Sequence, residues 1–319
     1  MIPQTSGAET PEITLISQSS SKPMTVRDIQ VFNGVITSLA VSEVNNILLV
    51  STRDGTVTGV NLQDLQPLYA ETFVNEPRSL VITADQNTFI TASDKEIRLF
   101  NLQDGVRGKR WVAHAGKITK LALSPGNELL ASISAEDGTA KLWQLKEGSL
   151  LQTFGEHTGP LTAVTFSPNG KLLVTGASGT DRTLKFWDTE AFALIRTSPQ
   201  QPGYIYDLAI TSDGNKLVAA VRNTIKIWDL NTGQELLTVK AAELNLNAIA
   251  VSPNNQWVAT ANKEGTISLI DITQGKIIGT LKGHKGWVTS VMFSDDGRYL
   301  YSGAEDKIVK IWDFQGNQP

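Results

Sequence analysis

A repeat of about 42 residues runs through most of the chain and limits the folds that it can adopt. Each unit ends in an apolar anchor residue that is followed in most copies by Asp or Asn, as in FWDT, IWDL and IWDF. The seven anchors, which are spaced by 40 to 44 positions, are Val60, Phe100, Trp143, Trp187, Trp228, Ile270 and Trp312. We therefore expect a fold built from seven similar units.

Each unit contains short runs of Val, Ile, Leu and Thr that alternate with polar residues and are separated by turn clusters such as SPNG and SDDG. This pattern predicts about four β-strands in each unit. One four-stranded sheet of this size cannot bury both of its faces, whereas seven sheets packed around an axis cover one another. The sequence therefore predicts an all-β, seven-bladed β-propeller with four antiparallel strands in each blade.

The last unit is one strand short. Its pattern predicts only three strands, near Trp287–Phe293, Tyr299–Gly303 and Ile308–Trp312. A strand-like segment, MTVRDIQVF, precedes the first unit. We therefore expect Met24–Phe32 to supply the outer strand of the seventh blade and to close the ring, because an open ring would expose a sheet edge.

The repeat units also carry a family resemblance. The GH dipeptide at Gly283, the Asp six residues before several Trp anchors and the IWD endings are similar to the signature of the WD-repeat family of seven-bladed β-propellers. The resemblance extends from about Met24 to the end of the chain. The GHKGWV and SPNGK segments are similar to those of bacterial members of the family. We expect residues 24–319 to form one propeller and residues 1–23, which contain Ser, Thr, Pro and Glu, to form a flexible tail.

The resemblance implies a structural role for the three His residues. Each His precedes the first strand of a blade and is followed 22 to 24 residues later by an Asp, which itself stands six residues before a Trp. In the family these side chains form a hydrogen-bonded tetrad with a strand Ser or Thr. The tetrads implied here are His114, Ser132, Asp137 and Trp143; His157, Thr175, Asp181 and Trp187; and His284, Ser302, Asp306 and Trp312.

A His beside an Asp also occurs in catalytic triads and metal sites. A serine hydrolase would need a nucleophile elbow, and the sequence contains no G-x-S-x-G motif. A metal site would need three or four convergent ligands, whereas the three His belong to separate blades. We therefore expect no catalytic residues, no metal and no cofactor.

The composition of the chain excludes several classes of site and partner. The chain has no Cys, so disulfides and thiolate sites are excluded, and its net charge of −4 gives no general attraction for nucleic acid. It has no apolar run near the roughly 18 residues of a membrane helix, and no apolar secretory core in Met1–Lys22. A cytoplasmic location is the default expectation, and a periplasmic or other extracytoplasmic one is the alternative if an upstream signal was removed.

One basic stretch could be interpreted as a nucleic-acid patch. It is VRGKRW, with Arg107, Lys109, Arg110 and Trp111. We favour the interpretation that it is an outermost strand whose cations discourage edge pairing. Trp257, at the start of a second strand, is expected in the core.

Candidate binding residues follow from aligning the units on Trp287. The residues at which the inner strands begin vary between units, and large aromatic residues and Arg at such positions are typical of interaction hot spots. The candidates are Tyr204, Tyr206, Trp287, Arg78 and Lys117, and Arg53, which precedes the turn residue Asp54, is a neighbouring candidate. The alternative is that Tyr204 and Trp287 only cover the tops of their blades.

Two functions remain open. The first is a noncatalytic platform, a monomeric propeller within a larger complex, which holds a peptide, loop or domain of a partner protein on this rim. The second is a propeller enzyme, or a module that binds carbohydrate or another small ligand in the central channel. Glu76 and Asp207 are the rim acids available for it, and the sequence places no basic group beside them.

Overall fold

The repeat folds into a closed ring. A computed structural model describes residues 13–15, 25–30 and 32–314. In these residues all regular structure is β-strand, arranged in seven antiparallel sheets, and no helix is long and apolar enough to cross a bilayer. The inner strands of neighbouring sheets contact one another in sequence order, and the inner strand of the last sheet contacts that of the first. The predicted seven-bladed β-propeller is therefore confirmed.

The first four blades each contain four consecutive strands, which run in order from the channel outward. Blade one consists of β3 (Ile36–Ser42), β4 (Ile47–Thr52), β5 (Thr56–Asn61) and β6 (Pro67–Thr72). Blade two consists of β7 (Pro77–Ile82), β8 (Thr88–Ser93), β9 (Glu96–Asn101) and β10 (Arg107–Val112). Blade three consists of β11 (Ile118–Leu123), β12 (Leu129–Ser134), β13 (Ala140–Gln144) and β14 (Ser149–Phe154). Blade four consists of β15 (Leu161–Phe166), β16 (Leu172–Ala177), β17 (Leu184–Asp188) and β18 (Ala193–Thr197).

The last three blades follow the same order, and two of them recruit a strand from the start of the chain. Blade five consists of β19 (Ile205–Ile210), β20 (Lys216–Val221), β21 (Thr224–Asp229) and β22 (Glu235–Lys240). Blade six consists of β23 (Leu246–Val251), β24 (Trp257–Asn262), β25 (Thr266–Asp271) and β26 (Lys276–Lys282), with β1 (Ile13–Leu15) added outside. Blade seven consists of β27 (Val288–Phe293), β28 (Tyr299–Ala304), β29 (Val309–Asp313) and β2 (Thr25–Ile29).

The ring is closed by β2, as the sequence predicts. It pairs antiparallel with β29 as the outer strand of blade seven. The ammonium group of Lys310, on a buried side chain, lies 2.7 Å from a carboxylate oxygen of Asp28. Ile29 is buried in the cluster between blades seven and one. The two ends of the propeller are therefore joined in one sheet.

The segment before β2 departs from a uniformly flexible tail. The structure places Ile13–Leu15 in β1, antiparallel to β26 of blade six. The other residues of the expected tail, 1–12 and 16–23, lie outside the described residues.

The core is divided among the blade boundaries. Seven clusters of buried apolar side chains lie one between each pair of neighbouring blades. Between blades six and seven, for example, Leu269 and Leu281 pack with Phe293 and Trp312. Since burying such a side chain contributes about 1.5–3 kcal/mol, each blade depends on its neighbours for stability. Trp257 is buried and β10 is the outer strand of blade two, as expected.

Every inner strand carries a bulge at its second residue. The pairing of the inner strand with the second strand shifts register there in all seven blades. Bulges re-aim a side chain, and they often occur beside functional sites. The bulge residues are Thr37, Arg78, Thr119, Thr162, Tyr206, Asn247 and Thr289.

Candidate functional site

Three blades contain a buried hydrogen-bond network centred on a His. In blade seven, His284 Nε2 lies 2.8 Å from Ser302 Oγ, and its Nδ1 lies 2.9 Å from an Asp306 carboxylate oxygen. The indole N–H of Trp312 donates to Ser302 Oγ at 2.8 Å. All four side chains are buried, so the network links the turn of the blade to its strands without facing a substrate.

Blade three contains the same arrangement, and blade four contains the same four residue types, but there His157 Nδ1 makes no hydrogen bond among the described residues. The sets are His114, Ser132, Asp137 and Trp143 in blade three, and His157, Thr175, Asp181 and Trp187 in blade four. In blade four, His157 Nδ1 lies 3.2 Å from Asp181, and the backbone N–H of Thr158 donates to the same carboxylate at 2.6 Å. The His–Asp spacing is one or two residues longer in these blades than in blade seven, and the hydroxyl group still lies within reach of the His.

The pKa shifts of the His and Asp side chains are consistent with a neutral His and an ionised Asp in these networks. Burial lowers the pKa of the His114 and His157 imidazoles, which favours the neutral ring. Burial alone would raise the pKa of Asp181, but hydrogen bonds from Thr183 and Thr158 outweigh it and lower that pKa to about 2. Among the described residues, no group of three or more His, Asp or Glu is arranged to hold a metal ion.

The bulge residues form a second, interblade network on the face where the inner strands begin, which we call the top rim. Four of them donate a hydrogen bond to a backbone carbonyl of the next blade. The bonds run from Thr37 to Pro77, Thr162 to Ile205, Asn247 to Val288 and Thr289 to Ile36, at 2.5–2.8 Å. The last bond joins blades seven and one.

Arg78 and Tyr206 occupy the same bulge position with different contacts. Arg78 donates to Glu76 at 3.1 Å instead, and its side chain is 45% exposed. The Tyr206 hydroxyl accepts a hydrogen bond from Asn245 at 3.0 Å. Arg78 therefore bonds within its own blade, whereas Tyr206 still bonds to the next blade, because Asn245 directly precedes β23 of blade six.

A cavity of about 500 Å³ opens on the top rim beside Arg78. Arg53 and Trp287 also line it. The Arg53 guanidinium lies 3.6 Å from Glu76 of blade two and 4.0 Å from Glu305 of blade seven, so it bridges both neighbours of its own blade. The structure therefore brings three of the six candidate residues together around one opening.

The other candidates lie elsewhere on the rim. Tyr204 is 47% exposed, and its ring packs edge-on to that of Tyr206 at 6.4 Å. Tyr206 lines the channel below the cavity together with Arg78. Lys117 is exposed, and its backbone N–H donates to Glu136 at 3.1 Å. Tyr204 and Lys117 are not among the residues that line the cavity.

Two cavity residues were missed in the sequence. The ammonium group of Lys263 lies 4.3 Å from the centre of the Trp287 ring, where a cation is attracted to the ring face. Glu305 lies beside Arg53. Both directly follow the second strand of their blade, as Arg53 does, so an alignment of that position across the repeats would have found them.

The two rim acids have basic partners, so the expectation that no basic group lies beside them is wrong. Glu76 pairs with Arg78 and Arg53. Asp207, which is almost fully buried, forms an ion pair with Lys120 of blade three. Each acid is held by its own cation, and this arrangement does not resemble a pair of carboxylates that share a substrate.

Comparison with known proteins identifies the repeat. The family model described as WD domain, G-beta repeat matches residues 105–144, 148–188, 193–229, 233–271 and 275–313. These segments cover more than half of the chain. The chain belongs to the WD-repeat family. Each of the matched WD repeats begins at or near the outer strand of one blade and ends in the third strand of the next blade. Sequence repeat and blade are therefore offset by one strand, and β2 supplies the outer strand that this offset leaves missing in blade seven.

Relatives of this WD-repeat protein include both long and partial matches. The uncharacterized WD repeat-containing protein sll1491 of Synechocystis sp. is 45% identical over 83% of this chain and 76% of that protein. Apoptotic protease-activating factor 1 of Danio rerio is 31% identical over 32% of this chain and 8% of that protein. Target of rapamycin complex subunit LST8 of Saccharomyces cerevisiae is 31% identical over 30% of this chain and 32% of that protein.

Proposed function

We propose that this propeller is a noncatalytic interaction platform that holds a peptide, loop or domain of a partner protein on its top rim. The observation that carries the proposal is that Arg78 and Tyr206 place large side chains at bulge positions where, in four of the other five blades, a Thr or Asn donates to the next blade. Arg78 donates within its own blade instead of to the next one, and both large side chains line the channel, where a partner can contact them.

The exposed aromatic residues also favour the top rim as the partner-binding surface. Trp287 is 44% exposed and Tyr204 is 47% exposed, and both lie where the inner strands begin. Exposed Trp, Tyr and Arg side chains around a depression are typical of interaction hot spots. Arg53 and Lys117 add cations to this rim, so we assign all six candidate residues to the partner-binding surface.

The nature of the partner follows from charge and family. A net charge of −4 favours a protein partner over a nucleic acid. WD-repeat propellers typically mediate protein–protein interactions, and one relative is named as a subunit of a complex. We therefore place this chain, as a single propeller, within a larger assembly.

The test compares two triple variants in affinity capture from native extract with chemical crosslinking. The rim variant carries Tyr204→Ala, Tyr206→Ala and Trp287→Ala. The control carries Leu150→Ala, Phe192→Ala and Leu236→Ala, three exposed apolar residues distant from the rim. A partner lost only from the rim variant, at equal melting temperature, supports the proposal. Partners retained by both variants, or a small ligand as the only bound species, would overturn it.

A further inference from the structure

The outer edge of blade six differs from the other blade edges because a strand lies on it. β1 pairs antiparallel with β26, with Ile13 opposite Leu281, Thr14 opposite Thr280 and Leu15 opposite Gly279. The sheet of blade six therefore has five strands, whereas the other six described sheets have four.

The sequence of β26 suits an edge that accepts a strand. Charged residues within an outer strand discourage pairing with another chain. β2, β6, β10 and β18 carry such residues, whereas β14 lacks them and β22 and β26 carry them only at their ends. Of these last three strands, β26 alone contains a Gly in its interior, beside the register shift of its pairing with β25, and a strand Gly leaves room for another backbone to approach.

The charged residues at the ends of β26 also match the sequence around β1. Lys276 and Lys282 stand at the two ends of the uncharged stretch Ile277–Leu281. In the sequence, Glu12 directly precedes Ile13. An added strand with an aliphatic, Thr-containing interior and an acidic flank therefore matches the edge in both polarity and charge.

We propose that the outer edge of blade six is a strand-addition site, which β1 covers in the free protein and which an extended partner segment of the same chemistry takes by displacing β1. Within the residues that the structure describes, three residue pairs hold β1, and so short a pairing is easily exchanged. Main-chain hydrogen bonds supply affinity in such complexes, and the alternating side chains supply specificity. This inference is independent of the top-rim proposal.

The test uses a labelled peptide of residues 11–18, PEITLISQ, and the full chain. One protein variant carries Ile13→Pro, Thr14→Pro and Leu15→Pro, which removes the backbone donors of β1 but retains β2. We expect saturable binding to this variant. Binding to the wild-type chain should be at least about tenfold weaker, because the tethered β1 competes at high effective concentration. A peptide with the same three Pro residues should not bind.

Two substitutions locate the site. Thr280→Lys in β26, added to the triple-Pro variant, should abolish peptide binding. Thr153→Lys in β14 is the matched control, because Thr153 and Thr280 occupy corresponding positions opposite the third strand of their blades, and it should leave binding unchanged. The proposal is overturned by absence of saturable binding to the folded triple-Pro variant, by equal binding to the wild-type chain, or by binding that Thr280→Lys leaves intact.

Discussion

Lys120 of blade three forms an ion pair with Asp207 of blade five across the central channel. The other carboxylate oxygen of Asp207 accepts a hydrogen bond from the backbone N–H of Ile249 in blade six at 3.0 Å. Blade four, which lies between blades three and five, has the small residue Ala163 at the corresponding position. One acid thus ties three blades together.

Asp207→Ala is expected to destabilise the propeller more than Lys120→Met does. The Ala variant leaves both the Lys120 ammonium and the Ile249 N–H without their partner, at a cost of roughly 2–3 kcal/mol. Lys120→Met leaves the Asp207 carboxylate buried without its cation, but the backbone N–H groups of Leu208 and Ile249 still donate to it, so the loss should be about 1–2 kcal/mol. Urea denaturation of both variants measures the difference. An equal or larger loss in Lys120→Met would show that the buried carboxylate depends on its cation more than on its backbone hydrogen bonds.

His284→Ala is expected to lower stability without weakening any interaction of the top rim. The substitution leaves Ser302 and Asp306 without the imidazole, at a cost of about 1–3 kcal/mol. Lys285→Ala, at the exposed neighbouring position, is the control and should change the melting temperature little. Partner loss in His284→Ala at a temperature where the protein is fully folded would contradict this structural role.

Stability should fall as the pH drops below about 6.5, the ordinary pKa of His. The pKa values of His114 and His157 are lower in the folded protein, so the unfolded chain binds more protons in this range. Their contribution is fully present above the unfolded pKa and is lost as the pH falls through the folded pKa. Melting temperatures between about pH 8 and pH 5 measure it, with the His114→Gln and His157→Gln double variant expected to show a shallower slope. A wild-type melting temperature that rises as the solution is acidified would be the opposite result.

Removal of all residues before Gly34 is expected to open the ring. The truncated chain loses β2, and with it the pairing to β29 and the ion pair between Asp28 and Lys310. It should melt at a lower temperature and over a broader range, because the exposed edge of blade seven no longer couples the two ends. The triple-Pro variant of β1 retains β2 and should melt close to the wild type. One sharp transition of the truncated chain at the wild-type temperature would refute ring closure by β2.

The repeat was enough to predict the fold because the same pattern recurs seven times and each copy supports the others. Ring closure by β2 followed from a missing strand in the last unit. Residues 13–15 were not recognised as a strand, since three residues give little periodicity and their pairing depends on the edge of a distant blade. The Lys120–Asp207 pair joins blades that are not adjacent in sequence, so no pattern within a unit could reveal it.

The bulge positions allow stability and partner binding to be separated. Arg78→Thr should keep or slightly raise the melting temperature, because Thr at this position in blades one, four and seven donates to the next blade. Tyr206→Thr should change it little, because a bond of this kind would replace the hydrogen bond with Asn245. Such a bond contributes about 0.5–1.5 kcal/mol, so Thr289→Val, which removes one, should be destabilising by about that amount. The same Thr variants of Arg78 and Tyr206 should lose the partner. Thermal melts and partner capture on one set of variants measure the two effects. If Arg78→Thr and Tyr206→Thr destabilise the protein and leave the partner bound, these side chains stabilise the propeller instead of binding the partner, and the top-rim proposal fails.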